Sequence, residues 1–418
     1  MHLCIVEDHE VINFHPLTYL NPMFDLRCGC TSLLERILTL LPAKSVSLLV
    51  RPYLVDYLSE LYPSYLINSL PNEDILFING RVLADSSLVK FVKSIGKKEC
   101  IAVHGNEIVA AYVKKENASS IVYSLTAEGF TFDEFASLPS KHVDSAVAKY
   151  PWDLVHHNAE YISKDFASIR SGKKKIAGKV YTGAHLLNKK NIVIGKGSVV
   201  KPGVVIDAEH GPVIIGKNVT VMPNAVIEGP VYIGNSSTIK IGAKIYPGTS
   251  IGSECKIGGE VTRSIFQSYS NKAHDGFVGD SYIGSWVNLG ADTNTSNLKN
   301  TYGNISVQIN GKSVDSGLQF VGLTMGDHSK SGINVMFNTG SVVGVSCNVF
   351  GAGLPPKYLP SFSWGNADAQ TEFDIEKSLE IAQRMMERRS IIMSNTYQEV
   401  MRHIFNKTSR ERKQWLKK

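Results

Sequence analysis

The sequence predicts an α/β domain followed by a parallel β-helix and C-terminal helices. The chain has 418 residues, more than the ~250 to 300 residues at which a single hydrophobic core stops growing. Short apolar runs alternate with helix-like segments in the first half, and aliphatic residues recur at every sixth position in the second half. We therefore divide the chain into an α/β domain (1–150), a linker (151–189), a β-helix (190–353) and a helical tail (354–418).

Seven segments of the first half support the α/β prediction. The apolar runs are 3–6, 46–50, 74–78 and 100–103, and the helix-like segments are 33–41, 55–61 and 87–94. This alternation is typical of a parallel sheet whose strands are connected by helices. Ligands of such sheets bind at the carboxyl ends of the strands.

The sixfold repeat supports the β-helix prediction. The aliphatic residues are Ile215, Val221, Ile227, Ile233, Ile239, Ile245, Ile251 and Ile257, and shorter blocks with the same period begin at Ile194 and Met325. This period does not suit an α-helix or a simple hairpin meander, whereas three hexads make one triangular coil of a parallel β-helix. The polar runs 267–275 and 292–300 interrupt the repeat. We expect them to leave the coil as loops, where sites are usually built.

His274, in the first polar run, is the candidate catalytic base. A neutral imidazole can take a proton from an ammonium or hydroxyl group near neutral pH. The surrounding segments 272–284 and 287–291 resemble the acetyltransferase half of the bacterial bifunctional glucosamine-1-phosphate acetyltransferase and N-acetylglucosamine-1-phosphate uridylyltransferase. The repeat resembles the left-handed hexapeptide β-helix of acyltransferases. These resemblances imply acetyl transfer from acetyl-CoA, with His274 as the base.

The same resemblance implies further residue roles. Asn288 and Asn297 match substrate-binding asparagines of the family, and Ala291 matches an alanine on the oxyanion side. Lys272, in the same segment as the histidine, is a further substrate-binding candidate. His328 is the rival base, although a structural role or an outward role beside the pantetheine arm fits its place in the repeat better.

Two positions depart from the family pattern. Phe277 stands where the family has a tyrosine near the substrate, so one hydroxyl group is missing. Thr262 stands where the family has a phosphate-binding lysine, and the adjacent Arg263 is a possible substitute. An arginine can hold an anion, so acyl transfer is compatible with both departures.

A second resemblance covers nearly the whole chain. Segment 16–29 is similar to the P-L-T-x-x-x-P stretch of sugar-phosphate nucleotidylyltransferases. Together with 152–155, 258–261, 270–277, 293–299 and 360–365, it is similar to a divergent group of sugar nucleotidylyltransferases with a hexapeptide-repeat domain. This resemblance implies transfer of a nucleotidyl group from an NTP, with Mg²⁺, to a sugar 1-phosphate. The family product is UDP-N-acetylglucosamine, a precursor of the cell envelope.

The α/β domain departs from ordinary nucleotidylyltransferases in two places. Residues 6–10 contain no glycine, although the family has a Gly-rich phosphate loop there. Arg81 stands where the family has a metal-binding aspartate, and we assign no metal ligand to this chain. We predict that Arg27 and Arg81 hold anionic phosphates. The alternative is that they pair with Asp25 and Asp85.

The sequence therefore predicts a transferase of sugar-nucleotide biosynthesis. Its small-molecule partners would be acetyl-CoA, an NTP and a sugar phosphate. We expect a homotrimer, because β-helices of this class usually form threefold bundles. The open alternatives are a nucleotidylyltransferase whose β-helix serves assembly, an acetyltransferase alone, or a non-catalytic trimeric scaffold or sensor.

Composition excludes some other classes of partner and location. A formal net charge of +6 gives no argument for a nucleic-acid partner. No run approaches the ~18 to 20 apolar residues of a membrane span, and the first residues lack a signal-peptide pattern. The six cysteines are scattered without a CxxC pair, which indicates reduced thiols and a cytoplasmic location.

The tail is predicted to contain two helices. Segment 374–389 is amphipathic, with Ile375, Leu379, Ala382 and Met386 on one face, and a second helix follows at 397–410. The basic stretch 407–418 is expected to be solvated.

Overall fold

The computed structural model describes residues 2–96, 98–118, 130–169 and 176–416. The strands of the N-terminal domain are β1 (His2–Val6), β2 (Arg27–Cys28), β3 (Thr31–Ser32), β4 (Val46–Leu49), β5 (Leu66–Ile67), β6 (Ile75–Asn79), β7 (Cys100–His104), β8 (Glu107–Val113) and β9 (Ser140–His142). Its helices are α1 (Leu33–Leu40), α2 (Val55–Leu61), α3 (Ser86–Ser94) and α4 (Lys115–Ala118).

All seven elements predicted for this domain are present. The apolar runs form β1, β4, β6 and β7, and the helix-like segments form α1, α2 and α3. The strand order is β5-β4-β1-β6-β8-β7-β9. The expected all-parallel sheet is wrong, because β8 is antiparallel to both β6 and β7. Only two residues, 105 and 106, connect β7 to β8, and so short a connection permits only a hairpin.

The long helix α5 (Pro151–Ile169) connects the domain to a stack of short strands. The lower coils contain β10 (Lys179–Val180), β11 (His185–Leu187), β12 (Ile192–Ile194), β13 (Val199–Val200), β14 (Val205–Asp207), β15 (Val213–Ile215), β16 (Thr220–Val221), β17 (Val226–Glu228), β18 (Val231–Ile233), β19 (Thr238–Ile239), β20 (Lys244–Ile245) and β21 (Thr249–Ile251). The upper coils contain β22 (Lys256–Ile257), β23 (Glu260–Thr262), β24 (Ile265–Phe266), β25 (Asn271–Lys272), β26 (Phe277–Gly279), β27 (Tyr282–Ile283), β28 (Asn294–Thr295), β31 (Thr324–Met325), β32 (Lys330–Ser331), β33 (Met336–Phe337), β34 (Val342–Val343), β35 (Asn348–Val349), β36 (Tyr358–Leu359) and β37 (Ser363–Gly365), which β38 (Gln370–Glu372) extends. A hairpin of β29 (Ser306–Ile309) and β30 (Lys312–Asp315) interrupts them.

These strands form the three faces of a left-handed β-helix. Face 1 runs from β10 through β25 to β32, β35 and β37. Face 2 runs from β11 through β26, then continues with β28 and β33. Face 3 runs from β12 to β36. All pairs between successive coils are parallel.

The sixfold repeat forms the interior of the coil, as predicted. Every aliphatic residue of the main repeat is buried, and Ile215 stacks on Ile233 and Ile251 in successive coils. The strands extend beyond the predicted range 190–353 at both ends, from Lys179 to Gly365. After the prolines at 355 and 356 the chain returns to face 3, where Leu359 stacks on Val343.

The polar run 267–275 does not leave the coil, so that prediction is wrong. Asn271 pairs with Lys256 in the coil below, because outward positions of a strand accept polar side chains. The second run also stays in the coil up to Thr295, which pairs with Phe337. The segment that leaves the coil is 298–321, which contains the β29–β30 hairpin.

The N-terminal domain docks on face 3. The Tyr282 hydroxyl accepts a hydrogen bond from the Arg27 amide at 2.7 Å and donates to the carbonyl oxygen of the same residue at 3.0 Å. The Ser250 hydroxyl donates to the Gly29 carbonyl oxygen at 2.8 Å. The buried side chains of the domain and of face 3 belong to one hydrophobic cluster. The two units therefore share a core.

One corner of the upper coils carries large aromatic side chains in left-handed backbone conformations. Tyr269 (φ 67°), Trp286 (φ 61°) and His328 (φ 60°) occupy successive coils, and Phe362 (φ 62°) lies two coils above His328, with Ser346 between them. Bulky residues are rare in this region of φ/ψ space. The rings of Tyr269 and Trp286 stack 4.2 Å apart, and His328 Nε2 lies 2.9 Å from the Tyr397 hydroxyl. Packing against the domain and the tail helices offsets the backbone strain.

The tail forms α6 (Ile375–Glu387), α7 (Asn395–Lys407) and α8 (Ser409–Trp415). The amphipathic prediction is confirmed, since Leu379, Ala382 and Met386 are buried. The expected solvated stretch is exposed at Lys407, Arg410 and Lys413, but the prediction is wrong at Arg412. Arg412 is fully buried, with Nε 2.7 Å from a Glu372 carboxylate oxygen. Residues 417 and 418 lie outside the described ranges.

Within the ranges described, no helix is both long and apolar enough to cross a membrane. The six cysteines are buried free thiols.

Candidate active site

His274 lies on the turn between β25 and β26, at the corner where face 1 meets face 2. Its side chain is exposed. The next coil continues the same corner with Ala291 and Asp292, and the Asp292 amide donates to the Asp275 carbonyl oxygen at 3.0 Å. The structure therefore brings His274 and Ala291 onto adjacent turns.

Lys272 is inside the coil, and its placement corrects the prediction that it contacts substrate. The side chain is fully buried and continues the inward row of Ile257. Its Nζ donates to the carbonyl oxygens of His274 at 2.7 Å and Asp275 at 3.0 Å. Burial lowers the pKa of this ammonium group to about 8. Lys272 thus holds the turn that carries His274 from behind.

The outer surface of β26 lies beside that turn. Phe277 and Asn297 cover Gly279: a Cβ atom at Gly279 would lie 2.6 Å from Phe277 Cζ and 2.7 Å from Asn297 Nδ2. Glycine is required for this approach, because non-bonded carbon atoms are ordinarily ~3.5 to 4 Å apart. The ring and the amide therefore lie together on the outer surface.

Arg263 and Asn297 meet at the opposite edge of face 2, on the carboxylate of Asp280. Arg263 Nε lies 2.7 Å from Asp280 Oδ1, and Nη2 lies 3.1 Å from Oδ2. Asn297 Nδ2 donates to Oδ2 at 2.6 Å. The hydrogen bond to Asp280 raises the pKa of Arg263, whose side chain is half exposed and lies over the Phe320 ring. Two substrate-binding candidates are thus joined, with free guanidinium surface facing solvent.

Asp280 is a candidate site residue that the sequence interpretation missed. The signal was available: Asp280 lies at a corner with φ 47°, and aspartate is one of the residues that tolerate this conformation. Residues at the corners of the coil point outward, so the Asp280 carboxylate could have been expected on the same outer surface as Arg263 and Asn297.

Asn288 points to a different surface. It lies on face 1, paired with Asn271 below and Lys330 above. There it lines a cavity of about 460 Å³ between face 1 and α6, which we call the α6 cavity. His274 does not line this cavity, although the neighbouring Ala273 does.

His328, the rival base, does not point outward as expected. It is buried beside Trp286 and Tyr397, and burial lowers its pKa to about 3. A histidine that stays neutral and has no route to solvent serves packing, which leaves His274 as the candidate base.

The carboxyl ends of β1 and β6 hold two buried ion pairs. Glu7 contacts Arg51 Nε at 2.8 Å, and Asp8 accepts from Arg81 Nε at 2.8 Å and Nη2 at 2.6 Å. Arg81 Nη2 also reaches Glu107 at 3.0 Å. These side chains fill the place of the family's Gly-rich loop.

Neither Arg27 nor Arg81, the two predicted phosphate-binding arginines, is free to bind phosphate. The alternative prediction, that they pair with Asp25 and Asp85, is also wrong. Arg81 is buried and bonded to Asp8 rather than Asp85, which caps α3 instead. Arg27 donates to the Cys30 carbonyl oxygen at 2.5 Å and lies over the Tyr232 ring at the joint with face 3. The two arginines share no partner.

The carboxylates of this domain do not fit a metal ion. Asp8 and Glu107 already bind Arg81, and a guanidinium group cannot ligate a cation. In the described part of the chain, no three His, Cys, Asp or Glu side chains lie close enough to hold a metal.

Comparisons match this chain to known nucleotidyl transferases and acetyltransferases. A family model described as sugar nucleotidyl transferase matches residues 3–174. The bifunctional protein GlmU of Methanococcus maripaludis is 31% identical over 207 residues, which are 47% of this chain and 43% of that protein. A bifunctional sugar-1-phosphate nucleotidylyltransferase/acetyltransferase of Sulfurisphaera tokodaii is 35% identical over 147 residues, 30% of this chain and 37% of that protein.

A shorter relative is covered more fully. The acetyltransferase YaiX of Escherichia coli, described as uncharacterized, is 30% identical over 160 residues, 38% of this chain and 70% of that protein. The chain spans less than half the length of the two bifunctional relatives above.

Proposed function

The chain belongs to a divergent GlmU-like family, and from that premise we propose that its β-helix transfers an acetyl group from acetyl-CoA to an amino-sugar 1-phosphate. The observation that carries the proposal is the turn of His274. An exposed imidazole stands on a turn held from inside by Lys272, beside the surface formed by Phe277 and Asn297.

Each residue has a defined task in this reaction. His274 accepts a proton from the sugar ammonium group, so that the amine can attack the thioester carbonyl carbon. The C–N bond forms and the C–S bond breaks, and the second proton lost by the nitrogen goes to the leaving thiolate, so that the coenzyme departs as a thiol. Arg263 faces the sugar phosphate, while Asp280 fixes its guanidinium group. The Ala291 turn borders the developing oxyanion.

A homotrimer would complete the site. His274 stands on a convex corner, so a wall must come from elsewhere. Exposed apolar side chains line the same corner and face 2: Ile241 below, and Ile333, Met336 and Phe350 above. Large exposed apolar residues in one row indicate a contact surface. A neighbouring copy would cover this row and enclose His274.

For the N-terminal domain we propose nucleotidyl transfer from an NTP to a sugar 1-phosphate, with release of pyrophosphate. The match to the sugar nucleotidyl transferase family supports this activity. The buried pairs of Glu7 and Asp8 leave no room for a Gly-rich phosphate loop. The nucleotide must therefore bind through contacts other than a Gly-rich loop. The proposed reaction assigns no residue of this chain to a metal ion. Both activities would use metabolites of the cytoplasm, where we propose the protein works in cell-envelope precursor synthesis.

The acetyl-transfer proposal has a direct test. Purified full-length protein, acetyl-CoA and glucosamine 1-phosphate should release free thiol. His274→Ala should abolish the release without changing the fold of the chain, since the side chain is exposed on it. The matched control is His210→Ala, another exposed histidine, in a lower coil. Equal rates in both variants would rule out His274 as the base.

The nucleotidyl proposal needs a separate assay. Pyrophosphate release should be measured with a panel of NTPs and sugar 1-phosphates. Thiol release without pyrophosphate would indicate an acetyltransferase alone, and the reverse would indicate a nucleotidylyltransferase with a structural β-helix. If neither thiol nor pyrophosphate is released, the non-catalytic scaffold or sensor is favoured.

A further inference from the structure

The α6 cavity is lined by an excess of cations to which the proposed acyl transfer at His274 assigns no task. On its floor, Lys256, Asn271, Asn288 and Lys330 point outward from successive strands of face 1 and pair in that order. Neighbouring strands are ~4.8 Å apart, so this row is ~14 Å long, with a lysine at each end.

Helix α6 supplies the opposite wall. Arg384, Arg388 and Arg389 line the cavity from its last turn and from the residues that follow it. Arg384 pairs with Glu380 on its own helix, and Arg389 lies 3.9 Å from Glu254. Five cations therefore face two carboxylates.

Three of the five cations have no carboxylate partner among the described residues. Lys256 and Arg388 are exposed at the mouth of the cavity. Lys330 is partly buried, and its Nζ contacts only the His328 carbonyl oxygen, at 2.8 Å. Burial without a counter-charge lowers the pKa of Lys330 to about 8. An anion between the two walls would relieve this repulsion.

We propose that the α6 cavity binds an elongated phosphate anion, a diphosphate group or longer, between the lysine row and the α6 arginines. A diphosphate offers the five cations two phosphoryl groups and more negative charge than a single phosphate does, so it should bind more tightly. Arginine and lysine are the residues that hold such groups. The stacked rings of Tyr269 and Trp286 close one end of the cavity as an apolar wall.

The diphosphate could belong to a nucleoside triphosphate or to coenzyme A, and binding experiments separate the two. Inorganic phosphate, pyrophosphate, ATP and coenzyme A should be titrated into the full-length protein by calorimetry at fixed ionic strength. Pyrophosphate should bind at least tenfold more tightly than phosphate. Whichever of ATP and coenzyme A binds more tightly, and is displaced by pyrophosphate, identifies the source.

Charge removal tests the location. The double variant Lys256→Ala/Arg388→Ala should weaken pyrophosphate binding at least tenfold, and both side chains are exposed, so the fold should persist. The matched control, Lys196→Ala/Lys377→Ala, removes one exposed lysine from the β-helix and one from α6 away from the cavity. Equal losses in both variants, equal affinity for phosphate and pyrophosphate, or no pyrophosphate binding would each overturn the proposal. His274→Ala should leave this binding unchanged, so the outcome is independent of acyl transfer.

Discussion

Replacing Lys272 with methionine separates two effects of one buried ammonium group. The side chain is fully buried, and the pKa is lowered from 10.5 to about 8. Each pKa unit is worth about 1.4 kcal/mol, so keeping the charge at neutral pH costs the folded state about 3 kcal/mol. The neighbouring carboxylates of Asp275 and Asp292 oppose the effect of burial without cancelling it.

The direction of the pH dependence follows from proton binding. Between pH 8 and 10.5 the unfolded chain holds the lysine proton and the folded chain has lost it, so stability rises with pH across this window. Lys272→Met should remove up to about 3 kcal/mol of that rise. Lys330 contributes a rise of the same sign to both proteins and cancels in the comparison.

The same variant should loosen the turn that carries His274. Methionine fills the volume but cannot donate to the carbonyl oxygens of His274 and Asp275. Because small misplacements of a reacting group can cost up to ~100-fold, we expect kcat to fall ten- to a hundredfold with little change in KM. The free energy of unfolding at pH 7 should not fall, because removing the cost of burying the ammonium group offsets the loss of its two hydrogen bonds.

Urea unfolding at pH 7 and pH 10, together with thiol-release kinetics, measures both effects. Lys217→Met, which changes an exposed corner lysine, is the control and should match the wild type. An unchanged pH dependence would refute the titration argument. An unchanged kcat would show that the turn does not depend on Lys272.

Three other substitutions test separate parts of the structure. Asp8→Asn should destabilise the protein by up to about 3 kcal/mol in urea unfolding, because it removes one of the two carboxylates that neutralise the buried Arg81 and leaves only Glu107; a loss under 1 kcal/mol would contradict this. Gly279→Ala should displace Phe277 and raise KM for the sugar phosphate with little effect on unfolding, and an unchanged KM would count against the face 2 site. Burial raises the pKa of Asp327 to about 7, so its contribution to stability is lost as pH rises from about 4 to 7. Asp327→Asn should flatten that decline, and a pH profile identical to wild type would refute it.

Much of the fold could be predicted because it depends on local periodicity. The residues that point into the coil recur at every sixth position of the sequence. The same spacing could have located Lys272, which lies six residues after Phe266 and six before Val278. Its charge suggested an outward role. The coil accepts the ammonium group because two carbonyl oxygens of the next turn meet it inside.

The N-terminal site could not be predicted in the same way, because ion pairs choose partners across the fold. Arg81 has Asp85 four residues away in sequence, yet its partner is Asp8, 73 residues distant. The parallel pairing of β1 and β6 brings Val6 beside Asn79 and so aligns the residues that follow each strand. The spacing of residues along the sequence does not reveal how these two distant strands pair. The α6 cavity was missed for the same reason, since its two walls lie more than fifty residues apart.

A chain of polar contacts joins the end of β1 in the N-terminal domain to the corner of the β-helix beside the α6 cavity. Glu7, at the end of β1, holds Arg51, whose Nη2 donates to the Asn21 carbonyl oxygen at 3.0 Å. The Asn21 amide donates to Asp327 in the β-helix at 2.5 Å, and Asp327 accepts the Ser285 amide at 2.8 Å. Because this path runs through a shared core, the N-terminal domain and the β-helix are not independent modules, and a change in the position of Arg51 has a physical route to the corner beside the α6 cavity.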